Sequence, residues 1–91
     1  MTDPEAGTVL AWLAEGATVN VPFDAPLFSD NTPYGSSLRR QADGRYVLET
    51  RFKEWQVIRE DEPMQLSTVT LTEIDLRARL RDAAFAECRR Q

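Results

Sequence analysis

The chain has 91 residues, 42% hydrophobic and 29% charged, the balance of one ordinary globular domain, which excludes a multidomain enzyme or a repeat array. It has no histidine, one cysteine and a net charge of −4, so the commonest general base and metal ligand is missing and no internal disulfide can form. A core this small leaves little volume for an enclosed active site.

Thr2-Asp3-Pro4-Glu5 opens a helix: Thr2 or Asp3 can cap it, Pro4 suits the first helical position, and Glu5 favours the positive end of the helix dipole. Ala6, Val9, Leu10 and Leu13 recur at helical spacing, with Trp12 at the margin of that face, and Gly16 can end the helix near residue 15. The N-terminal segment has no basic residue and no long apolar run, so neither a signal peptide nor a membrane span is expected.

Over residues 17–23 the pattern changes to alternation, with Val19, Val21 and Phe23 on one side; Pro22 places this strand at an edge or ends it early. Residues 24–37, with Pro26, Pro33 and Gly35 among small polar groups, read as a long loop. Its Leu27, Phe28 and Tyr34 either tuck it onto the core or serve as exposed anchors. Residues 38–42, the Asp43-Gly44 pair and residues 45–52 predict a hairpin with a two-residue turn. On its second strand Tyr46, Leu48, Thr50 and Phe52 share one face, and Val47, Glu49 and Arg51 the other. Lys53-Glu54 marks a turn, residues 55–59 a further strand, and Glu60-Asp61-Glu62-Pro63 a charged turn. Residues 64–71 are again β-like, with Leu66, Val69 and Leu71 available for burial.

The last segment predicts a helix running to about residue 90, starting either with a Thr70/Glu73 capping box or with Thr72 and Asp75. It carries Ile74, Ala78 and Phe85 on one side and Leu76, Leu80, Ala83 and Ala84 nearly opposite. A helix apolar on two sides is either sandwiched between the sheet and the first helix or meets another subunit through one stripe, for which Leu76, Leu80 and Ala84 are the candidates. The expected fold is therefore α+β, one domain over residues 1–91: an N-terminal helix, an antiparallel meander of about four strands, and a C-terminal helix packed on one face.

Chemistry-bearing motifs are absent from the sequence: no glycine-rich phosphate loop, no paired-cysteine metal motif and no nucleophile with a histidine, so neither a metal nor a cofactor is expected and the residues point away from catalysis. Cys88, beside arginines but without a base, reads as packing. Arg39, Arg40, Arg45, Arg51 and Lys53 lie near Tyr46, Phe52 and Trp55, a combination that can clamp single-stranded nucleic acid. The acidic chain and the alternation that turns Tyr46 and Phe52 away from Arg51 disfavour that reading. Charge falls in blocks: −5 over residues 1–38, +3 over 39–59, −5 over 60–75 and +3 over 76–91. Such blocks either pair inside the fold or present an acidic face to a basic protein.

Small size, acidic charge, helix–meander–helix order and the long loop resemble the immunity proteins of bacterial polymorphic or contact-delivered toxins. The resemblance is one of type over the whole chain, without a residue-level motif. It implies a cytoplasmic, stoichiometric inhibitor that covers a cognate toxin, and the residues expected to meet a basic toxin domain are Asp24, Asp30, Glu60, Asp61 and Glu62, with Tyr34 and Trp55 as aromatic anchors. Two other expectations stand beside it: a small regulatory or assembly subunit, possible as a homodimer through the two-sided helix, and the single-stranded nucleic-acid binder.

Overall fold

The computed structural model describes residues 1–23, 31–54 and 65–91, with backbone alone for 31–34 and 53–54. Helix α1 spans Asp3–Ala14. Its N-cap is Thr2: the Glu5 amide donates to the Thr2 hydroxyl and the Thr2 amide donates to the Glu5 carboxylate, so two otherwise orphaned backbone donors are satisfied reciprocally. Donation to the Glu5 carboxylate from the Thr2 amide, and after it from the Thr2 hydroxyl, holds that carboxyl below the ordinary range. Ala6, Val9, Leu10 and Leu13 are buried, as their spacing predicts, and Gly16 takes the left-handed φ of 89° just past the helix.

Five strands follow among the described residues: β1 (Val19–Val21), β2 (Asn31–Arg40), β3 (Tyr46–Glu54), β4 (Gln65–Leu71) and β5 (Arg89–Arg90). They form one sheet in the order β4-β3-β2-β1-β5, antiparallel at every pairing. Helix α2 (Glu73–Arg81) leads from β4 towards β5. The fold is α+β with an N-terminal and a C-terminal helix, as expected from the sequence. Core residues Val19, Val21, Leu38, Tyr46, Leu48 and Leu71 of the sheet cluster with Leu10 and Leu13 of α1 and Leu76 and Leu80 of α2. Both helices therefore contribute to one core with one face of the sheet. The alternating residues on the opposite face include Asn20, Arg39, Glu49, Arg51, Leu66 and Thr68, by the period-two rule.

Several local expectations are corrected. Strand β1 ends at Val21, before Pro22, but it is an interior strand between β2 and β5. The second half of the expected loop, from Asn31, is already β2; Pro33 and Gly35 mark a shift of register between Pro33 and Ser36, and Gly35 adopts φ 122° there. A glycine and a proline at a bulge look in sequence like a loop. Strand β3 likewise continues through Lys53 and Glu54 instead of turning. The hairpin connection holds three residues: Gln41 donates to the Arg45 carbonyl, Gly44 donates to the Gln41 carbonyl, and only Gly44 (φ 86°) is left-handed. Asp43 thus keeps a negative φ, which fits a type I turn closed by a glycine bulge. The expected strand over 55–59 and the turn at 60–63 lie outside the described residues.

The largest difference is at the C-terminal end. Helix α2 starts with Thr72, whose hydroxyl accepts from the Asp75 amide, but stops at Arg81. The Met1 ammonium donates to the last two carbonyls of α2, Leu80 (3.3 Å) and Arg81 (3.0 Å), and to that of Ala83 just beyond it (2.7 Å). Asp82, whose negative charge is disfavoured at a helix C-terminus, occupies the cap. A 3₁₀ turn at Phe85–Glu87 follows and sets Phe85 against Trp12, ring centroids 5.8 Å apart; Cys88 then enters the core, and β5 pairs with β1. Of the two apolar stripes expected on one long helix, Leu76 and Leu80 face the core from α2 and Ile74 of the same helix is exposed, while Phe85 reaches the core from the separate 3₁₀ turn.

Candidate protein-binding surfaces

The expected contact residues fall mainly in two connections. Asp24, Asp30, Trp55, Glu60, Asp61 and Glu62 lie outside the described residues, and Tyr34 is placed by its backbone in β2. The register nevertheless relates the two connections. Asn31 pairs with Glu54 and Phe52 with Gln65, while β1 runs towards the same end, its Val21 opposite Ser36. Residues 24–30 connect Phe23, two residues past the end of β1, to Asn31 at the start of β2, and residues 55–64 connect Glu54 at the end of β3 to Gln65 at the start of β4. All four junctions are at one end of the sheet, and the hairpin turn around Gly44 is at the other.

Charge is divided along the same line. Residues 24–30 and 55–64 together hold five of the fifteen acids and one of the eleven bases, whereas the rest of the chain has ten of each. The whole net charge of −4 thus resides in the two connections that share this end.

The first of these junctions is tied to the buried part of the sheet. Thr50 in β3 is 1% exposed and its hydroxyl is 2.8 Å from that of Ser36 in β2, which also donates to the Phe23 carbonyl at 3.1 Å. This buried pair ties the chain just before residue 24 to the two central strands. No sequence pattern singles it out, because both residues occupy apolar-face positions at which a hydroxyl reads as a gap in the alternation. Beside Phe23, an open pocket of about 240 Å³ is lined by Pro22, Phe23, Arg79, Asp82 and Ala83.

Association through Leu76, Leu80 and Ala84 is not what the structure presents. Leu76 and Leu80 are both 0% exposed within this one chain and belong to its core, whereas Ala84 lies beyond α2 and is exposed, so the three do not form one stripe on a helix. Ile74, on the other side of α2, is 81% exposed. The aromatic and basic groups of β2 and β3 are also separated: Tyr46 is buried among the core residues, while Arg39 and Arg51 are exposed on the opposite face, where Arg39 pairs with Glu49 at 3.3 Å. A stacking platform interleaved with arginines does not form from them.

Cys88 is buried, and burial followed by the negative charge of Glu87 pushes its thiol above the usual range, opposite to what a nucleophile requires. Among the described residues no group of three or more acids or thiols is placed to hold a metal ion, and no helix is long and apolar enough to cross a membrane. No family model matches the chain, and no match is found among curated proteins or solved structures.

The edge strand β4 is a surface that reasoning from local sequence missed. Leu66, expected to be buried, is 60% exposed. Alternation gives the reason: Leu66 is an odd number of residues from Val69, which packs against the core, so the two side chains point to opposite faces. The usable signal was parity, together with the lack of any charge over residues 65–71.

Proposed function

We propose that this chain is a stoichiometric protein-binding module of the toxin-neutralising type, which occludes a basic cleft on its target with the acidic end of its sheet. The observation that supports this reading is the convergence of residues 24–30 and 55–64, which carry the net charge, on one end of a sheet fixed by the Ser36–Thr50 pair. Asp24, Asp30, Glu60, Asp61 and Glu62 supply long-range attraction to a cleft that handles phosphate-bearing substrates, and Tyr34 and Trp55 supply apolar contact area once the charges have oriented the encounter. Acting by contact, the module needs no cofactor. Its lone, buried thiol fits a reducing cytoplasm.

The test is binding to, and inhibition of, the protein encoded by the gene adjacent to this one. A 1:1 complex of nanomolar affinity that abolishes the neighbour's activity is expected. Replacing Asp24, Asp30 and Asp61 by Asn and Glu60 and Glu62 by Gln should lower the association rate at low salt by about tenfold or more and flatten its salt dependence. If the neighbouring protein stays fully active at saturating concentrations of this chain, the reading is wrong.

A further inference from the structure

We propose that β4 is a dimerisation edge, and that two copies of the chain join there antiparallel, about a two-fold axis at Thr68, to form a continuous ten-stranded sheet. The proposal goes beyond the inhibitor reading, involves a different part of the surface and does not depend on it.

One side of β4 pairs with β3 over all seven residues, Gln65 to Phe52 through Leu71 to Tyr46. On its other side β4 meets no strand among the described residues, since it stands at the end of the sheet order. Backbone donors and acceptors along such an edge are a template for another strand, and proteins usually block them with charge, proline, a bulge or shortness. β4 has none of these. Its sequence, QLSTVTL, contains no charged residue, proline or glycine, although the chain as a whole carries 26 charged side chains, and its pairing to β3 runs without a break in register.

The choice of a second copy follows from self-complementarity. With Thr68 opposite Thr68 of the other copy, Ser67 meets Val69, Leu66 meets Thr70, and Gln65 meets Leu71. Every pair is then uncharged, and the central threonine pair is one that stabilises antiparallel strands. Among the described residues, the two large hydrophobic side chains left exposed are Leu66, within this strand, and Ile74, three residues beyond its last residue. Leu66 lies on the sheet face away from the helices, beside Thr70 of the second copy in the joined sheet. Ile74 is in the first turn of α2, three residues after Leu71, and so stands at the end of β4 where Gln65 of the second copy arrives. The two-fold axis also directs the acidic ends of the two copies in opposite directions, which keeps their charge apart and leaves both free.

The test uses charge at the axis. Thr68 is exposed on the open face, so Thr68→Lys and Thr68→Glu can each be accommodated by the single chain, which near-ultraviolet circular dichroism and thermal unfolding verify. Sedimentation of the unaltered chain up to about 500 µM should show a reversible monomer–dimer equilibrium. Each variant alone places like charges directly opposite and should weaken the dimer by about tenfold or more, while an equimolar mixture of the two should restore it as a heterodimer. The proposal is overturned if the unaltered chain remains monomeric, as it would were the edge reserved for an extended segment of another protein. It is equally overturned if Thr68→Lys dimerises as before, or if the mixture gives no heterodimer.

Discussion

At one edge of the sheet β5 contributes two arginines, and at the other β4 contributes seven uncharged residues. Strand β5 is held by contacts distant in sequence: Gln91 donates its backbone amide to the Thr18 carbonyl and its side-chain amide to Asn20 at 2.6 Å, and Arg90 pairs with Glu15 at 3.0 Å. Its short length and its charge leave little for another strand to extend. Strand β4 has the opposite composition and spans seven residues against the two of β5. The difference shows that the order of strands does not by itself define an interaction surface. What matters is whether the outermost strand is charged and short or uncharged and long.

That comparison requires the fold beneath both edges to be independent of association. Leu80 decides it, because the same side chain is a candidate association residue in sequence and a core residue in the structure. Leu80→Ala is expected to lower stability by about 3 kcal/mol in urea unfolding, from lost burial and the cavity left behind. A variant that kept its stability but lost its self-association would move the interface from β4 to α2 and break the comparison. The Ser36–Thr50 pair, in the two strands between β4 and β1, comes next. Ser36→Ala removes the partner of the buried Thr50 hydroxyl and of the Phe23 carbonyl, at a cost of about 2 kcal/mol. Adding Thr50→Val to it should cost less than the sum of the two single changes, because the second removes a group already left without its partner.

The parts of the fold legible in sequence are those set by near neighbours. Pro4, the spacing of Ala6 to Leu13 and Gly16 define α1, and strict alternation from Tyr46 to Phe52 assigns the two faces of β3. Where one residue type has two uses, local reading fails: Pro33 and Gly35 serve a bulge within β2 but look like punctuation of a loop. At the C-terminal end, Phe85 and Cys88 extend a helical pattern numerically, yet their partners, Trp12 and the core, are supplied by packing that no window of sequence contains. The candidate site divides in the same way. Its acidic composition is visible residue by residue, whereas its gathering at one end of the sheet depends on the pairings of Asn31 with Glu54 and Phe52 with Gln65, which are register facts.

On the β5 side the expected effects are smaller. Arg90 and Glu15 are both about half exposed, so a double-mutant cycle with Arg90→Ala and Glu15→Ala should give a coupling of roughly 0.5 kcal/mol. A coupling well above about 1 kcal/mol would mean that the pair anchors the sheet instead of trimming its edge.

The finest distinction between the edges comes from Cys88, which directly precedes β5. Its thiol is buried, donates weakly to the Ala84 carbonyl at 3.8 Å, and is raised above its usual pKa by burial and then by Glu87. A raised pKa means less thiolate at a given pH, so alkylation in the folded chain at pH 8 should be at least about tenfold slower than in the unfolded chain. Because β5 covers only two residues, Arg90→Ala combined with Gln91→Ala should let this edge open locally and speed alkylation severalfold with little change in the urea midpoint. Thr68→Lys, at the far edge, should leave the rate unchanged. If alkylation instead rose only in proportion to global unfolding, β5 would open together with the rest of the sheet, and its short edge would be as much a part of the cooperative unit as β4.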